Sequence, residues 1–150
     1  MCFFSGRPIM LLYNITNLKA ESLAVDPSVV KKTVFKSPGV KSARFAGESS
    51  DANQNIDLVL RKLEKHDDRT ATFETIICLI LNGETKYFNG MISGKITYER
   101  IGEKGFGYDP IFLPDGYNKT FAEFSIDEKN LISHRSIAVR KLTNYLNNLN

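Results

Sequence analysis

The feature that most constrains the fold is a pair of apolar stretches joined by the dipeptide Asn82-Gly83. In the first stretch, 70–81, apolar and other residues alternate with the two-residue period of a β-strand. The second stretch, 86–98, has a comparable length and returns after the dipeptide. Asn-Gly between two such stretches is typical of a two-residue β-hairpin turn. The sequence therefore predicts a long antiparallel hairpin over residues 70–98.

Two shorter apolar stretches predict further strands, at residues 9–15 and 111–113. The returning strand of the hairpin contains Gly90 and Gly94, and glycine weakens a strand interior because it has no side chain to pack. We therefore expect each of these glycines to mark a bulge or a place where another backbone comes close.

Two segments have helical periodicity. Residues 51–66 can begin with Asp51 as N-cap, and one face is apolar through Ile56, Val59, Leu60 and Leu63. Residues 125–149 begin with a capping-box pattern, Ser125 and Glu128, and an apolar stripe follows at Ala138, Leu142, Tyr145 and Leu149. The predicted fold class is α/β, with helices packed on a mixed, largely antiparallel sheet.

The length and charge of the chain exclude several classes of protein. We expect one domain over residues 1–150, because 150 residues can bury a substantial core. A net charge of +3 permits an anionic ligand but does not indicate nucleic acid, which usually requires a concentrated basic patch. The apolar start has no basic region before it, so we expect no signal peptide, and the run Ile9–Tyr13 is too short to span a bilayer. Two cysteines, Cys2 and Cys78, suggest reduced thiols and a cytoplasmic protein.

The segment 102–124 combines glycines with aromatic residues. Gly105 and Gly107 flank Phe106, and Tyr108 and Asp109 follow. Such a segment could be a tight connection between strands, because glycine permits unusual backbone angles. It could also hold a planar ligand, because aromatic rings stack on heteroaromatic bases.

A second cluster, EKNLISHR, brings Lys129, Ser133, His134 and Arg135 near the start of a predicted helix. Free backbone N–H groups, the positive end of the helix dipole and an arginine fork together suit phosphate oxygens. The alternative is a solvated basic turn in which His134 bonds only to its neighbours.

Four segments in one order and spacing resemble a known family: SPGVKSARFAGE, GFGYDPIF, KTFAE and EKNLISHR. The chain is similar over residues 37–147 to the inosine/xanthosine triphosphate pyrophosphatases, which hydrolyse noncanonical purine nucleoside triphosphates such as ITP, XTP and dITP. The resemblance implies an elongated sheet flanked by helices in a two-lobed fold, a homodimer, and Mg²⁺-dependent cleavage to a monophosphate and pyrophosphate. It also implies a set of substrate-binding residues: Phe106, Gly107, Tyr108, Asp109, Lys129, His134 and Arg135.

The chain departs from the family pattern over residues 1–36, where neither the phosphate-binding loop nor the metal-binding glutamate is found. We therefore expect a fold that lacks part of the N-terminal lobe. Ungapped alignment back from Pro38 places Asp26 at the family's catalytic aspartate, which implies a catalytic and metal-binding role. Asp26 could instead cap a helix before Pro27. The alternative function is a catalytically silent relative that binds nucleotide weakly or serves as a dimerising subunit.

Overall fold

The structure is a computed structural model that describes residues 9–17, 38–39 and 41–149, the first of these ranges by its backbone alone. Its sheet contains four antiparallel strands in the spatial order β1-β2-β3-β4. They are β1 Ile9–Asn17, β2 Thr70–Leu81, β3 Glu84–Ile96 and β4 Phe112–Pro114. The predicted antiparallel sheet and its flanking helices are therefore confirmed.

The turn between β2 and β3 explains why the hairpin is so well specified. Asn82 and Gly83 have φ angles of 51° and 83°, and Leu81 pairs directly with Glu84. Two successive positive φ angles characterise a type I′ turn, whose twist matches that of the flanking strands. The register set here places Ile77, Leu79 and Phe88 on one face of the hairpin.

The described ranges contain three α-helices: α1 Ala52–Leu63, α2 Ile126–Ile132 and α3 His134–Asn147. Helices α1 and α3 pack on that same face of the hairpin. Asp51 caps α1 as predicted, since its carboxylate accepts hydrogen bonds from the N–H groups of Asn53 and Gln54. None of the helices in the described ranges is long and apolar enough to cross a membrane.

The C-terminal segment differs from its prediction in two respects. Ser133 has an extended backbone (ψ 149°), so it ends α2 and caps α3 and divides the helical segment in two. The predicted apolar stripe stops at Tyr145, because Leu149 lies beyond the end of α3 and is 50% exposed. The predicted strand 111–113 also begins later, because Ile111 closes a short 3₁₀ turn before β4.

Buried apolar side chains form two clusters. In the first, α1 packs through Ile56, Val59 and Leu63 against Phe73 of β2 and the rings of Phe112 and Phe121. In the second, Ala138 and Leu142 of α3 pack against Ile77, Leu79 and Phe88. Each fully buried side chain of this size contributes about 1.5–3 kcal/mol relative to exposure.

Gly90 allows α3 to approach β3 closely. A Cβ atom at Gly90 would overlap the carbonyl oxygen of His134 and lie 2.5 Å from the backbone nitrogen of Ala138. The prediction of close packing at this glycine is therefore confirmed, and the start of α3 is positioned directly on the sheet.

Candidate functional site

The glycine-rich segment folds around the carboxylate of Asp109. This side chain is buried, and its Oδ2 accepts hydrogen bonds from the backbone N–H of Phe106 (2.7 Å) and from the ammonium group of Lys129. Gly105 has φ +80°, and a Cβ atom there would overlap Asp109 Oδ2. Glycine at this position therefore lets the loop close over the carboxylate.

Lys129 connects this loop to α2. Its ammonium group pairs with Asp109 and lies 5.1 Å from the centroid of the Phe106 ring. Both partners of the ion pair are largely buried, with side-chain exposures of 15% for Lys129 and 4% for Asp109. Asp109 therefore joins the loop to the lysine, because its Oδ2 accepts hydrogen bonds from both Phe106 and Lys129.

The first turn of α3 presents His134 and Arg135. Ser133 caps the helix by accepting a hydrogen bond from the N–H of Ser136. The pKa of His134 is lowered to about 3 by burial first, and then by the positive charges of Arg135 and Lys129. His134 is therefore a neutral imidazole near pH 7, and among the described residues its Nδ1 has no hydrogen-bond partner.

The guanidinium group of Arg135 lies over the Phe106 ring, with 4.3 Å between its central carbon and the ring centroid. Burial lowers the pKa of Arg135, and the negative charge of Asp109 opposes that shift. Phe106 itself is 60% exposed, so the residue is accessible to a ligand. An aromatic ring with adjacent cations is a favourable surface for a heteroaromatic base.

The opposite side of the site is the turn at residues 42–46. Tyr108 donates a hydrogen bond from its hydroxyl to the carbonyl oxygen of Ser42 (2.7 Å). Burial raises the pKa of Tyr108, which keeps the hydroxyl protonated as a donor. The aromatic loop and this turn are thereby connected across 66 residues of sequence.

Between these elements lies a cavity of about 400 Å³. Small-molecule sites usually enclose about 300–1,000 Å³. Six of the predicted substrate residues line it: Phe106, Gly107, Tyr108, Asp109, His134 and Arg135. Lys129 joins them through its ion pair with Asp109. The structure thus brings together two segments that are about twenty-five residues apart in sequence.

The sequence matches the Ham1 family over residues 12–145. The chain belongs to the Ham1 family. It is 47% identical over 126 residues to the dITP/XTP pyrophosphatase of Christiangramia forsetii, and the aligned region covers 84% of this chain and 66% of that protein. It is 50% identical over 110 residues to that of Staphylococcus epidermidis, covering 73% and 56% respectively. The chain spans about two thirds of the length of the curated relatives it matches.

Solved structures support the same conclusion. The Ham1 protein of Staphylococcus aureus superposes with a TM-score of 0.84 and 33% identity, over 97% of this chain and 69% of that one. A HAM1 protein from Coxiella burnetii gives a TM-score of 0.81 and 32% identity, over 96% and 69%. The family membership expected from the four sequence segments is therefore confirmed.

Six cavity residues of this Ham1 chain were not predicted as site residues: Ser42, Ala43, Ser50, Ala52, Asn55 and Phe73. Asn55 did carry a signal, because it precedes Val59 by four residues and so lies on the apolar stripe of α1. A polar residue in such a stripe needs a hydrogen-bond partner once it is buried. Ser42 and Ala43 belong to the SPGVKSARFAGE segment, which contributed to the resemblance alone.

Asp26 lies outside the described residues, so its predicted catalytic and metal-binding role stays a prediction. Within the described part of this Ham1 chain, no three histidine, cysteine, aspartate or glutamate side chains are grouped as metal ligands. We therefore assign no step of a reaction to a metal among these described residues. They form the side of the site suited to a base.

Proposed function

We propose that this Ham1 chain is a nucleotide pyrophosphatase that hydrolyses noncanonical purine nucleoside triphosphates, ITP, XTP and dITP, to the monophosphate and pyrophosphate. The observation that carries the proposal is the cavity where Phe106, Tyr108, His134 and Arg135 meet. The relatives named dITP/XTP pyrophosphatase support it, because they match most of the chain.

Base binding follows from the chemistry of the cavity wall. Stacking on Phe106 contributes about 1–3 kcal/mol for any base, so it does not select among purines. Selection requires polar groups that discriminate the purine 6-position, where hypoxanthine and xanthine carry an acceptor and adenine a donor. The Arg135 guanidinium offers only donors, and neutral His134 offers one donor and one acceptor. Adenine would leave such buried donors unpaired, which is costly.

Cleavage of the triphosphate needs groups other than those that line the base side of the cavity. We expect hydrolysis to require Mg²⁺, because the metal neutralises phosphate oxygens, and a carboxylate to position the water. Asp26 is our candidate for that carboxylate. The alternative is a catalytically silent Ham1 relative that binds nucleotide weakly. One observation favours this alternative: the described residues line the base side of the cavity and contain no group of three metal-ligating side chains.

The first experiment measures pyrophosphate release from ITP, XTP and ATP by the purified chain, with Mg²⁺ and with EDTA. We expect Mg²⁺-dependent release from ITP and XTP, with ATP at least tenfold slower, and we expect Asp26→Asn to abolish it. Equal rates with ATP would contradict the proposed selectivity. Binding of inosine monophosphate by folded protein without any turnover would support the silent alternative.

A second experiment addresses the base side alone. Phe106→Ala removes the stacking surface, and we expect it to raise the KM for ITP at least fivefold with little change in kcat, because the ring is remote from the bond that breaks. Tyr117→Ala is the matched control, since Tyr117 is also a partly exposed aromatic residue but does not line the cavity.

We also propose that the chain is a cytoplasmic homodimer with no nucleic-acid or membrane partner. The hairpin face turned away from α1 and α3 carries Ile76, Ile80, Tyr87 and Met91, and the last two are 70% and 55% exposed. Exposed apolar residues on one face favour association. We expect sedimentation to show a dimer and the Tyr87→Glu/Met91→Glu variant to shift it to monomer. A wild-type monomer at micromolar concentration would refute this part of the proposal.

A further inference from the structure

The turn at residues 42–46 forms one wall of the cavity through Ser42 and Ala43, and its Phe45 packs against the first core cluster. Its 3₁₀ segment, Ser42–Arg44, follows Lys41, which provides no side-chain cap. The carbonyl of Ala43 and the N–H of Ala46 are both satisfied by a side chain from another element. Phe45 therefore anchors the turn, and that side chain determines how its backbone is oriented.

Asn55 of α1 is that side chain. It is 4% exposed, its Nδ2 donates to the carbonyl oxygen of Ala43 (2.8 Å), and its Oδ1 accepts from the N–H of Ala46 (2.6 Å). A primary amide that uses its donor and its acceptor on one turn can adopt only one orientation. Because α1 is anchored in the core through Ile56 and Val59, these two bonds fix the wall to the core.

The wall is held from the other side by Tyr108, whose hydroxyl donates to the carbonyl of Ser42 (2.7 Å). Ser42 and Ala43 thus lie between α1 and the aromatic loop. Without the amide of Asn55, the bond from Tyr108 is the one described side-chain hydrogen bond from another element to this wall. Phe45 would still anchor the turn, but the backbone of Ser42 and Ala43 could then shift relative to Phe106 and Arg135.

We propose that Asn55 is a positioning residue of the nucleotide site, acting through Ser42 and Ala43 to set the width of the cavity opposite Phe106 and Arg135. The inference rests on the proposed function, since the ligand is taken to be a purine nucleotide. Asn55 lines the cavity, but its amide oxygen and nitrogen both bond to the turn, so its effect on the base passes through the position of that wall.

The test measures the Kd of inosine 5′-monophosphate by titration calorimetry on the full chain and two variants. We expect Asn55→Ala to weaken binding about tenfold, which corresponds to about 1.4 kcal/mol. Val59→Ala is the matched control: Val59 lies one turn further along the same face of α1, is buried, and does not line the cavity. It should lower the unfolding temperature but leave the Kd within about twofold.

A third variant, Asn55→Asp, separates positioning from general destabilisation. A protonated carboxyl has one O–H donor and one acceptor, as the amide does, whereas the carboxylate has acceptors only. Burial raises the pKa of a carboxyl group. Relative to wild type at each pH, we expect Asn55→Asp to bind weakly at pH 7.5 and to recover toward pH 5, while Asn55→Ala does not recover.

The outcomes distinguish the two levels of the proposal. Wild-type protein that does not bind inosine monophosphate overturns the proposed function and this inference with it. Wild-type binding with an unchanged Kd in Asn55→Ala overturns the inference alone. A loss in Asn55→Ala that Val59→Ala matches, with no recovery in Asn55→Asp, also overturns it, because destabilisation would then explain the effect.

Discussion

At the scale of the residue, Asp109 shows that a candidate site residue can also have a structural role in its own loop. Its carboxylate receives the N–H of Phe106 and the ammonium of Lys129, while Gly105 leaves room for it. Phe106 and Lys129 both depend on this one group for their positions. The ion pair is largely buried, so the two charges compensate each other where water cannot.

The first prediction concerns this pair. Asp109→Asn leaves Lys129 as a buried charge without its partner, and Lys129→Met does the same to Asp109. Each should lower the free energy of unfolding by about 3–5 kcal/mol. The double variant should cost less than the sum of the single variants, because it leaves neither charge unpaired. Urea unfolding of all four proteins measures this coupling, and additivity within about 0.5 kcal/mol would show that the pair is not energetically linked.

At the scale of the element, the start of α3 is the part of the fold on which the site depends most. The helix carries His134 and Arg135 in its first turn, and Gly90 of β3 determines how close that turn lies to the sheet. The division of the C-terminal segment at Ser133 serves the same end, because it gives α3 its own capped N-terminus. Strand, cap and helix together place two side chains at the cavity.

The second prediction tests this contact. In Gly90→Ala the new methyl group would overlap the backbone of α3, so the helix must shift outward. We expect a loss of about 1–3 kcal/mol in stability, together with weaker binding of inosine monophosphate, since His134 and Arg135 move with the helix. Ser93→Ala is the control, because Ser93 is an exposed residue of the same strand. Unchanged stability in Gly90→Ala would mean that the helix does not rest on this glycine.

At the scale of the whole molecule, burial of one neutral histidine makes global stability depend on pH. The pKa of His134 falls from 6.5 to about 3 on folding, through burial and the nearby charges of Arg135 and Lys129. Between those values the unfolded chain binds a proton that the folded chain does not. Stability must therefore decrease as the pH falls below 6.5.

The third prediction uses that dependence. The difference in unfolding free energy between wild type and His134→Gln should be constant above pH 7. Below pH 6 the wild type should lose up to about 1.4 kcal/mol of stability per pH unit relative to the variant. The window from pH 6.5 to 4.5 is best, because the lowered pKa of Glu128, held by Lys119 and Ser125, affects stability only below about 4.5. A constant difference across that window would show that His134 is not buried as a neutral group.

Local sequence alone determined the hairpin, the capped helix α1 and the capping box of Ser125 and Glu128, because each rests on residues a few positions apart. The four sequence segments also identify the family, which the match over residues 12–145 confirms. The loop residues Phe106 to Asp109 and the pair His134–Arg135 could be selected in the same way, although their roles stay predictions.

Only the tertiary structure decided how these parts meet. Nothing local indicates that Tyr108 bonds to a carbonyl 66 residues away, that Asn55 holds the turn containing Ala43, or that Asp109 pairs with Lys129. Such contacts arise because the packed core brings distant segments together, and a buried polar group then bonds to whichever partner lies beside it. The sequence predicted which residues have suitable chemistry, and packing determined which of them form the walls of one cavity.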